Sequence, residues 1–173
     1  MIDLLEILKY TIPALIVFVS IYFTMKSFYE NEDRRRKLEI KASNQKLITP
    51  IRLQAYERVV LFLERISVDN LIVRINKPTM TNGQLHTEIL MQIRIEFEHN
   101  LAQQVYLSHE AWEAARTAKE NTLKLINTIA SKLPPDQPSF DLCKAVLEFL
   151  PQLEKNPTKI AIEFIKSEAA QLF

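Results

Sequence analysis

YTIPALIVFVSIYFTM, residues 10–25, is a run of sixteen residues without a formal charge, bounded by Lys9 and Lys26. Its reading decides the fold class, because a helix with no polar face needs apolar surroundings. A span takes about 20 apolar residues, and sixteen helical residues rise only ~24 Å against a hydrocarbon core of ~30 Å. The shortfall closes if Lys9 and Lys26 lay their methylene stems along the helix and keep their ammonium groups in the headgroups. Leu5, Leu8, Phe28 and Tyr29 then extend the apolar length, and Tyr10, Tyr22 and Tyr29 suit the two interfaces. Ile12, Leu15, Ile16, Val17, Phe18, Val19, Ile21 and Phe23, at roughly −0.3 to −0.6 kcal/mol each, give on the order of −4 kcal/mol of insertion. Pro13, Ser20 and two threonines reduce it. No polar stripe interrupts Ile12 to Phe23, as a helix lying in the interface would require.

Asp3 and Glu6 precede the run and no Ala-x-Ala follows it, so a cleaved signal peptide is not expected. Lys9 alone stands before the span, against Lys26, Arg34, Arg35, Arg36, Lys37, Lys41 and Lys46 soon after it. The positive-inside rule then predicts an N-terminus outside and the bulk of the chain in the cytoplasm, with the bilayer as one partner. Cys143, the single cysteine, leaves no intrachain disulfide to form and suits a reducing compartment.

The stretch from Lys26 to Pro50 holds seven basic and four acidic residues, whereas residues 51–173 carry fourteen Lys/Arg against fifteen Asp/Glu. Bulk charge therefore gives no case for nucleic acid. Arg34, Arg35, Arg36 and Lys37 are candidates for contact with anionic headgroups, each worth about 1 kcal/mol within a Debye length. Arg34 lies eight residues past Lys26, or ~12 Å along a helix, so that attraction is partly screened. No aromatic is interleaved with these bases to stack on nucleotides.

One glycine in 173 residues excludes the turn chemistry of a sheet protein, and the chain reads as all-α. The expected organisation is a short outer segment (1–9), an anchor (10–29), a charged juxtamembrane helix (30–48) and a cytoplasmic bundle of about five helices (49–173). Thr49-Pro50 reads as cap and first position of the first of these, with Leu53, Tyr56, Val59, Val60, Leu63 and Ile66 facing inward. Residues 67–81 hold a short apolar piece, Leu71-Ile72-Val73, compatible with helix or extended chain. A helix from Thr81 or Asn82 buries Leu85, Ile89, Leu90, Ile93, Phe97 and Leu101, and turns Glu88, Gln92, Glu96, His99 and Gln103 to another face. Ser108 caps the next, with Trp112, Ala115, Ala118, Leu125 and Ile129. Ser139 caps a shorter one bearing Phe140, Val146, Leu147 and Leu150, and Asn156-Pro157 starts the last, with Ile160, Phe164, Ile165 and Leu172. The Leu172-Phe173 end reads either as an uncovered apolar strip or as a frayed terminus with two exposed side chains.

Three patterns bear on chemistry. Glu96-Phe97-Glu98-His99 contains Glu-x-x-His, which places a carboxylate and an imidazole on one helix face, but dimetal bundles need two copies and only one occurs. His109-Glu110-Ala111-Trp112-Glu113 begins like the zinc-protease motif, yet Glu113 stands where the second imidazole belongs. Phosphate-binding loops need several glycines, and Gly83 is alone. No catalytic residue, metal or cofactor is assigned on these grounds; Glu96 and His99 remain the one polar pair to follow.

The strings Ile12-Pro13-Ala14-Leu15, Pro50-Ile51-Arg52-Leu53-Gln54-Ala55-Tyr56-Glu57-Arg58, Glu96-Phe97-Glu98-His99-Asn100-Leu101 and Ala111-Trp112-Glu113 resemble those of an uncharacterised bacterial family of small proteins with one N-terminal span. The likeness covers most of the chain. It implies an anchor, a charged linker and a helical domain, and carries no activity across. The expected role is a membrane-anchored interaction or scaffold protein that binds a protein partner or itself. The alternatives are a membrane-tethered enzyme using Glu96 and His99 with Arg94 or Glu98, and an accessory subunit of a membrane complex. The latter would want a small-residue face in the span, and no Gly-x-x-x-Gly occurs.

Overall fold

Apolar residues three and four apart line one face of each helix in the C-terminal two-thirds of the chain, and these faces build the core. The structure, a computed structural model, describes residues 2–152 and 156–172. Among the described residues six α-helices run in the order α1 (Ile2–Arg65), α2 (Val68–Ile75), α3 (Asn82–Asn100), α4 (His109–Ala130), α5 (Ser139–Phe149) and α6 (Pro157–Leu172). Short 3-10 turns follow α3 and α5. Among the described residues there is no strand, only an isolated bridge between Thr81 and Pro138. The fold is all-α, with one long apolar helix at the N-terminal end. The chain divides into two compact units, 1–48 and 49–173.

In the first unit, every residue whose side chain is described is exposed except the half-buried Glu32. The segment from Thr11 onward is long and apolar enough to cross a membrane, and none of its most apolar stretch is buried within the chain. Its few internal side-chain ties are local: Thr24 Oγ1 donates to the Ser20 carbonyl at 2.7 Å, and Arg35 and Arg36 pair with Glu39 and Glu32 at 3.0 and 3.2 Å. The side chains of Leu5, Leu8 and Tyr10, and residue Phe173, lie outside the described residues.

The helix does not restart at Thr49-Pro50; α1 runs unbroken through it. Pro50 fits the helical φ near −65° but has no N–H to give the Lys46 carbonyl, so α1 continues through this turn one backbone hydrogen bond short. From there Ala55, Tyr56, Val59, Phe62, Leu63 and Ile66 are buried, whereas Leu53 is 49% exposed. Residues 68–75, ambiguous from sequence, form α2, with Val68, Leu71, Ile72 and Ile75 buried in helical spacing.

Helix α3 begins with a capping box: Gln84 N–H donates to Thr81 Oγ1 at 3.3 Å and Thr81 N–H donates to Gln84 Oε1 at 3.1 Å. Leu85, Ile89 and Ile93 are fully buried; Leu101 is 40% exposed. Ser108 caps α4 by accepting from the Ala111 amide at 3.0 Å. Ala111, Ala115 and Ala118 are buried on α4, as Ala161 is on α6. These small side chains let α6 pack closely along α4.

The start of α5 differs from the sequence reading. Pro138 occupies the cap position, and the Ser139 hydroxyl donates instead to Asn76 Oδ1 at 2.7 Å. The orphan amide of Leu142 is satisfied from another element, by Asn82 Oδ1 at 3.1 Å. Phe140 and Leu147 point outward while Leu142, Cys143 and Val146 are buried. Asn82 N–H donates to the Gln137 carbonyl, Gly83 N–H to that of Pro135 and Asn82 Nδ2 to that of Pro134, so the start of α3 is tied to the segment ahead of α5. A β-carbon at Gly83 would stand 3.3 Å from Pro135 Cβ, so the lone glycine marks a close approach.

Candidate functional site

Glu96 is the residue the structure moves. The sequence sets it on the face of Glu88 and Gln92, yet it continues the row Leu85, Ile89, Ile93 by three residues and is buried. The burial is made possible by two arginines from other helices. Arg65, in the last turn of α1, places Nη1 3.3 Å from Glu96 Oε2, and Arg74, in the last turn of α2, places Nη2 3.7 Å from Oε1. Arg74 Nη2 also donates to the Arg65 carbonyl at 3.4 Å, one of the carbonyls left over at the end of α1. A groove of about 440 Å³ opens over the cluster, lined by Lys77, Met80, Glu88 and Gln92 among others.

His99 is not part of this site. It lies in the last turn of α3 and is exposed, as are Arg94 and Glu98. Both oxygens of the Glu96 carboxylate have a guanidinium nearby, while the imidazole faces solvent. The two members of the Glu-x-x-His motif are thus separated by burial. The arginines were not singled out from sequence; the available signal was their position at helix C-terminal turns, where a cation is favoured, together with an acid on a buried row.

A second polar cluster was also missed. The buried Tyr56 hydroxyl donates to Glu168 Oε1, and Ser108 Oγ donates to Glu168 Oε2 at 2.8 Å, joining α1, the cap of α4 and α6. Burial first, then the hydrogen bond to Glu168, pushes the Tyr56 phenol above its ordinary range. Nearby, Arg52 Nε donates to the Tyr106 carbonyl at 3.1 Å.

Phe62, Phe97 and Trp112 form an aromatic row, with Phe97 stacked on Trp112 at 5.5 Å. Lys119 lies 4.0 Å above the Phe97 ring and 2.8 Å from Glu120, whose carboxyl that hydrogen bond holds below the usual range. His86 Nε2 meets Asn127 Oδ1 at 2.8 Å. Burial pushes the Cys143 thiol up, which disfavours the reactive thiolate. No group of three His, Cys, Asp or Glu residues suited to a metal ion occurs among the described residues.

Of the four bases 34–37, Arg35 and Arg36 are engaged by carboxylates on their own helix. An apolar groove of about 370 Å³ runs between α4 and α6, lined by Ala114, Ala118, Pro157, Ile160, Ala161 and Phe164 among others. Ile160 and Phe164 are 46% and 43% exposed, and at the far end of α6 Leu172 is 45% exposed.

No curated protein and no solved structure matches the chain. A family model described as a family of unknown function, DUF7935, matches residues 2–172, and the chain belongs to that family.

Proposed function

We propose that this chain is a single-pass membrane protein of a bacterial inner membrane, with its N-terminus outside and its helical unit in the cytoplasm as an interaction module. The observation that carries the anchor is exposure. Side chains such as Leu15, Phe18, Ile21, Phe23 and Phe28 are 53–70% exposed within the chain, and an apolar surface of that extent is stable only against lipid or another protein. The seven-to-one Lys/Arg bias supports the orientation. For the second unit, the apolar groove beside Ile160 and Phe164 supports docking of a protein surface.

In native membranes the full chain should resist extraction by alkaline carbonate, and a chain lacking residues 2–29 should not remain bound. A reporter active only in the cytoplasm, fused after Phe173, should be active. Release of the full chain by carbonate would refute the anchor, and a silent reporter that becomes active at the N-terminus would reverse the orientation.

A further inference from the structure

The groove over Glu96 carries more positive than negative charge. Arg65, Arg74 and Lys77 line it against Glu88 and Glu96, an excess of one cation, and all five residues belong to the second unit. Glu88 is already engaged, accepting from Gln92 Nε2 at 3.0 Å. The negative ends of α1 and α2 are partly covered, since the carbonyls of Phe62, Arg65 and Ile72 are taken by Ile66 N–H, Arg74 Nη2 and Asn76 N–H.

Two guanidinium groups are thus brought to one carboxylate. Like charges held together repel, and Glu96 neutralises only one of the two. Its contacts with them, at 3.3 and 3.7 Å, are long beside the roughly 2.7–2.9 Å of a tight charge-assisted bond. Each guanidinium has five N–H donors in a planar fork. Among the described residues the bonds made here use one terminal nitrogen of each, Nη1 of Arg65 and Nη2 of Arg74. Both side chains are exposed and line the groove, so donors remain for a second acceptor.

We propose that this groove binds a small organic carboxylate, whose oxygens take the remaining N–H donors of Arg65 and Arg74 and whose single charge cancels the excess. A phosphate monoester, near −2 at neutral pH, would overshoot that excess and face Glu88 and Glu96 as like charges. The arginine pair already holds one carboxylate, that of Glu96, and a planar fork matches a second two-oxygen acceptor. Lys77, exposed at the groove, adds attraction for an approaching anion. Ile75 and Met80 supply an apolar wall for the rest of the ligand, and the Met80 thioether suits the edge of an aromatic ring. The volume of about 440 Å³ falls within the roughly 300–1,000 Å³ of small-molecule sites.

The test titrates benzoate, isotopically labelled at its carboxyl carbon, into the full chain in mild non-ionic detergent and follows that carbon by NMR. Its resonance should shift saturably. Benzamide, a neutral isostere that enters micelles at least as readily, should bind at least about tenfold more weakly, because it lacks the charge. Arg65→Gln and Arg74→Gln should each weaken benzoate on the order of tenfold, with Trp112 fluorescence confirming that the unit is folded. If either glutamine variant unfolds, Arg→Lys at the same position keeps the charge but loses the fork, and should still weaken benzoate severalfold. Phenyl phosphate carries the same ring and should bind no more tightly than benzoate; tighter binding would overturn the carboxylate assignment. No saturable shift with benzoate, equal affinity for benzamide, or unchanged affinity in the folded arginine variants would overturn the site.

Discussion

Glu96→Gln tests the buried carboxylate with the least change of shape. The Glu96 side chain is 10% exposed, and its partners Arg65 and Arg74 are 59% and 38% exposed. Neutralising Glu96 leaves two guanidinium groups that can turn to water, and the amide still offers an oxygen acceptor. The loss is therefore well below the 3–5 kcal/mol of a fully buried broken pair, and about 1–2 kcal/mol is expected. The converse change is asymmetric. Arg65→Ala with Arg74→Ala strands a carboxylate that cannot move to solvent without opening the contact between α3 and α2, and about 3–5 kcal/mol is expected. Trp112 is the only tryptophan and is buried in the second unit. Its fluorescence during urea unfolding of the full chain in mild detergent reports this unit regardless of the state of the first. A Glu96→Gln loss equal to or larger than that of the double arginine variant would refute the reasoning.

Asn82→Ala should cost about 2–3 kcal/mol in the same assay, because it leaves the buried Leu142 amide and the Pro134 carbonyl without their partner. His99→Ala should cost under about 1 kcal/mol, since the imidazole is exposed; a loss above about 2 kcal/mol, or stoichiometric metal that disappears with it, would return Glu-x-x-His to consideration. Tyr56, held in its neutral form by burial and by Glu168, keeps its proton in the folded chain at a pH where the unfolded phenol, with an ordinary pKa of about 10, loses its own. The unfolded state then binds fewer protons, so the Tyr56 contribution is complete below about pH 10 and is lost as pH rises through the folded value. Tyr56→Phe in a Cys143→Ala background, which removes the other group raised by burial, should give a shallower alkaline decline than Cys143→Ala alone; an identical decline would remove Tyr56 from the explanation.

Helix existence was legible wherever a cap and a periodic apolar row agreed, as at Thr81, at Ser108 and at Asn156-Pro157. Legibility failed where a local signal was answered by a distant residue. Ser139 resembles a cap, but the Leu142 amide is served by Asn82, sixty positions away, and that frees the Ser139 hydroxyl for Asn76. Leu53, Phe140 and Leu147 are large and apolar, yet each sits about one position off its helix's buried row and is exposed. Glu96 departs in the opposite direction, a polar residue on the buried row rather than on the face of Glu88 and Gln92. Its burial depends on two arginines whose approach is a property of packing and not of any window around residue 96. The undecided stretch 68–75 is short enough that its helix is settled by the four buried side chains of Val68, Leu71, Ile72 and Ile75 rather than by propensity.

The proposal of an interaction module draws its support from how the second unit uses its polar groups. Glu96 meets Arg65 and Arg74, Glu168 accepts from Tyr56 and Ser108, Lys119 caps Phe97 and pairs with Glu120, and His86 meets Asn127. Each of these ties one helix to another or closes over the aromatic row. A general acid or base has to present a titratable group to a substrate with its proton free to move, and in these clusters that capacity already serves helix packing. What the chain presents outward is different in kind: apolar side chains in rows, at Ile40 and Leu47 on α1 and at Ile160 and Phe164 on α6. Rows of that sort gain free energy by being covered.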